Sequence, residues 1–124
     1  MRHHPNRCAV LAVALAALAA SPALAQSLAE FYKDKQVTFY VGLSPGGGYD
    51  LNARLVAKHI GRYIPGQPQV IVRNMPGGGN VLATNYMYTQ APKDGTALGV
   101  VNNIIPLHQV LDGRGVRFDA RKFN

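Results

Sequence analysis

The stretch QVTFYVGLSPGGGYD, residues 36–50, decides the fold. Gln36–Leu43 is rich in β-branched and aromatic residues and reads as a strand. It runs straight into Ser44-Pro45-Gly46-Gly47-Gly48, a turn that no helix or strand interior accepts. Asp50 then stands where a helix N-cap belongs. Leu51, Leu55, Val56, Ile60 and Ile64 follow at helical spacing, as one face of a helix, until Pro65-Gly66 stops it.

The same pattern recurs downstream. Gln69–Arg73 is a second strand, Asn74-Met75-Pro76-Gly77-Gly78-Gly79-Asn80 a second glycine-rich turn, and Val81–Gln90 a second helix. Leu82, Ala83, Tyr86 and Met87 are the side of that helix expected to be buried. Thr96–Val101 is a third strand, closed by Asn102-Asn103, and a short helix is expected from Pro106 to Leu111. Upstream, Leu28, Phe31 and Tyr32 fit a single helical turn. Strand, helix, strand, helix, strand predicts an α/β fold: a parallel sheet of βαβαβ units with right-handed crossovers. Both glycine turns then sit at the carboxyl ends of strands, where open α/β sheets bind ligands.

Consecutive glycines let the backbone approach a ligand without Cβ interference. The helix that follows offers unpaired N–H groups and a partial positive charge. Together they suit an anion. Tight strand-to-helix turns need glycines too, so the geometry alone leaves a purely structural role open. Nucleotide motifs do not fit. A Walker A loop needs Gly-Lys-Ser/Thr, whereas Gly48-Tyr49 follows Gly47. A dinucleotide fingerprint needs a small residue where Leu51 stands and an acid where Arg73-Asn74 stands. Ser44 can donate its hydroxyl to an anion but lacks the Gly-x-Ser-x-Gly elbow of a nucleophile. His59 and His108 are isolated, with no spacing that suggests a metal site. Asn102 and Asn103 suit either side-chain amides for a ligand or an Asx turn.

The first residues carry a different signal. Arg2 and Arg7 precede an unbroken run of Ala, Val and Leu at 9–20, then Ser21-Pro22 and Ala23-Leu24-Ala25. This predicts a cleavable secretory signal peptide over residues 1–25, cut after Ala25, and a periplasmic destination. The single cysteine, Cys8, leaves with it, so thiol chemistry is not expected in residues 26–124. Without Arg2 and Arg7, 11 basic residues face 6 acids, a net charge of +5. The only basic cluster is Arg114, Arg117, Arg121 and Lys122. No stripe of the kind nucleic acid requires is present, and scattered positive charge suits small organic anions better.

Three ordered motifs resemble one family. Ser44-Pro45-Gly46-Gly47-Gly48-Tyr49-Asp50-Leu51-Asn52-Ala53-Arg54 is similar to the P-x-Gly-Gly-x-x-Asp-x-x-Ala-Arg signature of the tripartite tricarboxylate transporter substrate-binding proteins, the Bug or TctC type. Val72–Asn80 resembles their V-x-N-x-P-G-A-G-x-N segment, with Gly78 in place of the Ala. Ala91–Thr96 resembles their A-x-P-D-G-Y-T turn, with Lys93 inserted and the aromatic missing. The resemblance runs from about Val37 to Val101. It implies a periplasmic binding protein of two α/β domains, type II-like, that closes on a small carboxylate and delivers it to membrane permease subunits. It implies neither catalysis nor a cofactor, and a monomer. Carried over, the ligand-binding residues are Ser44, Gly46, Gly47, Gly48 and Asp50, with Gly78, Gly79 and Asn80.

Such proteins run to roughly 300 residues, so residues 26–124 are expected to be the first part of domain one. Val116, Phe118 and Phe123 look stranded with nothing left to pack on, as in a chain that stops early. Two alternatives stand beside the binding protein. One is an exported enzyme using the glycine turns as an anion cradle. The other is a truncated remnant without function.

Overall fold

The computed structural model describes residues 27–111 and 113–123. The expected signal peptide and Cys8 lie outside the described residues. A short helix α1 (Leu28–Tyr32) leads into strand β1 (Gln36–Val41). Helix α2 (Gly48–Ile60) follows, then strand β2 (Gln69–Asn74), helix α3 (Val81–Thr89), strand β3 (Ala97–Val100) and helix α4 (Ile105–Leu111). The sheet order is β2-β1-β3, with both pairings parallel. The expected parallel α/β sheet is therefore present.

β1 is central, and five of its six residues are buried. A strand covered on both faces carries apolar residues almost throughout, as Val37–Val41 does. Alternate side chains point to opposite faces. Phe39 and Val41 pack with Ala53 and Ala57 of α2. Tyr40 points the other way, to the Tyr86 ring of α3 at a centroid distance of 4.9 Å. The two crossover helices therefore lie on opposite faces of the sheet.

The helix faces differ from their sequence pattern. Leu51 and Leu55 are each 60% exposed and Val56 is 45% exposed. The buried stripe of α2 is instead Asp50, Ala53 and Ala57. Small alanines let the helix axis approach the sheet, and the leucines fall on the far side. In α3 the buried residues are Val81, Ala83 and Thr84, whereas Leu82 is half exposed. Tyr86 and Tyr88 are both half-buried. The segment after α4 is not stranded. Phe118 is buried with Val81 and Ile105, with Val116 and Ala120 beside them. Phe123 stacks edge-on against Tyr88 at 5.5 Å. Asn85 pins this segment by accepting from the Arg117 N–H and donating to the Gly115 carbonyl, each at 2.7 Å.

Candidate functional site: a glycine-lined rim

All three strands deliver their carboxyl ends to one rim. The turn after β1 leaves toward the α2 face, while the chain after β3 enters α4, whose Ile105 packs with Val81 of α3. Connections that diverge in this way open a crevice between neighbouring strand ends.

The first turn is exposed from Ser44 to Tyr49. Ser44, Pro45, Gly47 and Gly48 line a shallow cavity of about 450 Å³ with Leu43 and Tyr49. α2 starts at Gly48, its N-cap is Gly47, and no side chain caps this end. The expectation that Asp50 is the N-cap is thus corrected, because Asp50 sits inside the first turn of the helix. The first helical bond at this end runs from the Leu51 N–H to the Gly47 carbonyl at 2.9 Å. The preceding N–H groups, those of Gly48 and Tyr49 among them, have no partner within the helix.

Asp50 lies beneath this cavity, 2% exposed. Its Oδ2 accepts from the Gly46 N–H at 2.8 Å and from Arg54 Nε at 2.9 Å. Its Oδ1 accepts from Asn74 Nδ2 at 2.8 Å. Asn74 Nδ2 also donates to the Leu43 carbonyl, and Asn74 Oδ1 accepts from Arg54 Nη2 at 2.9 Å. Asp50, Arg54 and Asn74 thus bond to one another pairwise and tie the first turn, α2 and the end of β2 together. The Arg54 hydrogen bond, then those of Gly46 and Asn74, hold the Asp50 carboxyl well below the usual carboxylate range. A carboxylate so occupied acts as a tie and makes a poor proton acceptor. Arg54 and Asn74 carried no assigned role in the sequence. Their signal was the Asp–Arg spacing of four on a helix and the asparagine closing β2.

The second turn ends in four residues of positive φ. Gly77, Gly78, Gly79 and Asn80 have φ of 152°, 54°, 61° and 84°. Gly78 and Gly79 occupy a region that side chains rarely enter, and Asn is among the few residues that tolerate it. Gly78 and Gly79 are exposed, but Asn80 is 2% exposed. Its amide packs against the end of β1, where a Cβ on Gly42 would lie 2.4 Å from Asn80 Oδ1. Among the described residues, Asn80 Oδ1 and Asn102 Oδ1 are buried without a hydrogen-bond partner. Ser44, Gly47 and Gly48 therefore share one cavity. Gly46 and Asp50 support it from below, and Gly78, Gly79 and Asn80 flank β1 without lining that cavity.

The fold and rim define the class: an open parallel α/β sheet presenting two glycine turns and an uncapped helix end at one edge. The chain is 36% identical over 100 residues to the "UPF0065 protein in gbd 5'region" of Cupriavidus necator. The match takes in 81% of this chain and 30% of that protein, so the chain spans under a third of its relative's length. UPF0065 is a name of the Bug/TctC family, so the likeness supports the family whose motifs the sequence resembles. No family model matches the chain.

Proposed function

We propose that this chain is part of a Bug-type solute-binding protein, exported to the periplasm, that captures a small organic acid for a tripartite tricarboxylate transporter. One observation carries the proposal: the free N–H groups at the start of α2 stand in an open cavity with the Ser44 hydroxyl, on a turn clamped by Asp50, Arg54 and Asn74. Fixed donors at a helix end suit a carboxylate without rearrangement. Catalysis is a weaker reading, because the Asp50 carboxylate is already held by three donors and no histidine or cysteine occurs in either glycine turn.

Calorimetry with citrate, succinate, malate and benzoate tests this. Gly48→Pro is the diagnostic variant. Gly48 is the first residue of α2, and a Cβ there meets nothing within 4 Å. Proline suits that helical position but removes one N–H donor. The preceding Gly47 is already extended, at φ −77° and ψ 168°, as a residue before proline prefers. Affinity for the best acid should fall about tenfold or more, since a hydrogen bond to a charged group contributes about 1.5–3 kcal/mol. If the folded protein binds none of these acids, or binds them equally well as Gly48→Pro, the proposal is wrong.

A further inference from the structure

The turn Ala91–Thr96 takes no part in the glycine rim, yet it carries a reactive dipeptide, Asp94-Gly95. The fold requires glycine at its second position. Gly95 has φ +88°, and a Cβ there would lie 2.5 Å from the Tyr32 hydroxyl. That hydroxyl donates to the Gly95 carbonyl at 3.4 Å. The seating of α1 against this turn therefore leaves no room for a side chain at residue 95.

Glycine after aspartate has a chemical consequence. With no side chain to hinder it, the glycine nitrogen can attack Cγ of the aspartate when the carboxyl is protonated. The N–Cγ bond forms, and the carboxyl hydroxyl leaves as water with the amide proton. The resulting cyclic imide then takes up one water. Opening at the side-chain carbonyl restores aspartate. Opening at the main-chain carbonyl breaks its bond to nitrogen and leaves the chain running through Cβ and Cγ, as isoaspartate. The water lost is regained, so no other reactant is needed.

We propose that Asp94-Gly95 is a latent isoaspartate site at the entrance to β3, held in the aspartyl form by Thr96, and that its conversion loosens the β1–β3 pairing. Asp94 Oδ1 accepts from the Thr96 N–H at 3.0 Å and from the Thr96 hydroxyl at 2.6 Å. Both bonds favour the ionised carboxylate and hold this carboxyl below its usual range. Ring closure needs the protonated form, so both bonds oppose it. The same residue begins the strand pairing. The Thr96 carbonyl accepts from the Thr38 N–H at 2.8 Å, next to the register pair Thr38 and Ala97. Isoaspartate inserts a backbone carbon just before this rung and removes the carboxylate geometry that Thr96 grips.

The test follows the full chain at neutral pH, with and without urea. Isoaspartate in the peptide spanning residue 94 is counted by electron-transfer fragmentation. The folded protein should convert about tenfold more slowly than the same chain in urea, as two hydrogen bonds of ordinary strength imply. Thr96→Val keeps the N–H but loses the hydroxyl, and its folded rate should rise about threefold or more. Thr96→Ser keeps both donors and should convert no faster than the unaltered chain. Each variant is followed below its own urea midpoint, so that unfolding is not mistaken for a lost guard. The comparison of folded and urea-treated protein needs no variant, and so stands even if Thr96→Val fails to fold. On ageing, the urea midpoint should fall in step with isoaspartate at residue 94. A folded rate equal to that in urea, or Thr96→Val as slow as the unaltered chain, would overturn the proposal. So would Thr96→Ser as fast as Thr96→Val, or an aged, isomerised protein with an unchanged midpoint.

Discussion

Asn74 and Asp50, 24 residues apart, meet through a hydrogen bond of 2.8 Å from the Asn74 amide to the Asp50 carboxylate. The contact joins the end of β2 to the first turn of α2. The same amide reaches the Leu43 carbonyl at 3.0 Å, and its oxygen takes a bond from Arg54. One asparagine therefore holds the turn that would carry an anion.

Asn74→Ala should remove three hydrogen bonds and leave a buried carboxylate oxygen short of a donor. A loss of about 2 kcal/mol is expected, read as a lower urea midpoint with an unchanged m-value. Arg54→Ala in the same background should cost less than it does alone, because the network is shared. Strict additivity would show that the three residues do not act together.

Acid should weaken the fold in a way traceable to Asp50. Its carboxyl lies below the ordinary range, so the unfolded chain binds the proton more readily. The stabilisation is complete above the unfolded carboxyl pKa of about 3.9 and fades as pH falls toward the lower folded value. Asp119, held down by Arg121, behaves likewise. Asp50→Asn should flatten the decline in denaturation midpoint between about pH 4 and pH 2. An unaltered slope would mean that Asp50 is not anchored as described.

Gly42→Ala should be costly although it adds only a methyl group. The new Cβ would lie 2.4 Å from Asn80 Oδ1 and 3.2 Å from Ala83 Cβ. Overpacking of this kind costs about 1–3 kcal/mol. Asn80→Gly keeps the left-handed conformation and removes the amide, so the double variant should recover most of the loss. Failure to recover would place the clash elsewhere.

Phe118→Ala should be severe and Leu55→Ala nearly silent. Phe118 is 5% exposed against Val81 and Ile105, and a cavity there costs about 3–5 kcal/mol. Leu55 is 60% exposed, and surface changes of this kind stay within about 0.5 kcal/mol. The opposite ranking in thermal unfolding would show that α2 packs through its leucine stripe.

The order of strands and helices was legible because β-branched runs, glycine turns and helix stops are local signals. The two glycine turns could be placed on one rim for the same reason, since parallel connections leave little choice. The buried face of α2 could not be read. Leu51 and Leu55 repeat as an apolar stripe, but the sheet takes Ala53 and Ala57, whose small side chains allow closer approach. Asp50 looked like a cap, and its actual place needed Asn74, which local sequence cannot bring near it.

By itself the sequence determined the α/β alternation, the two glycine turns and the motifs that resemble Bug-type binding proteins. Those features rest on backbone preferences within a few residues of one another. Only the tertiary structure decided which helix face is buried, that Phe118 and Phe123 find partners, and that Asp50, Arg54 and Asn74 close into one network. Each depends on contacts between segments far apart in the chain, where packing distance and hydrogen-bond geometry outweigh local periodicity.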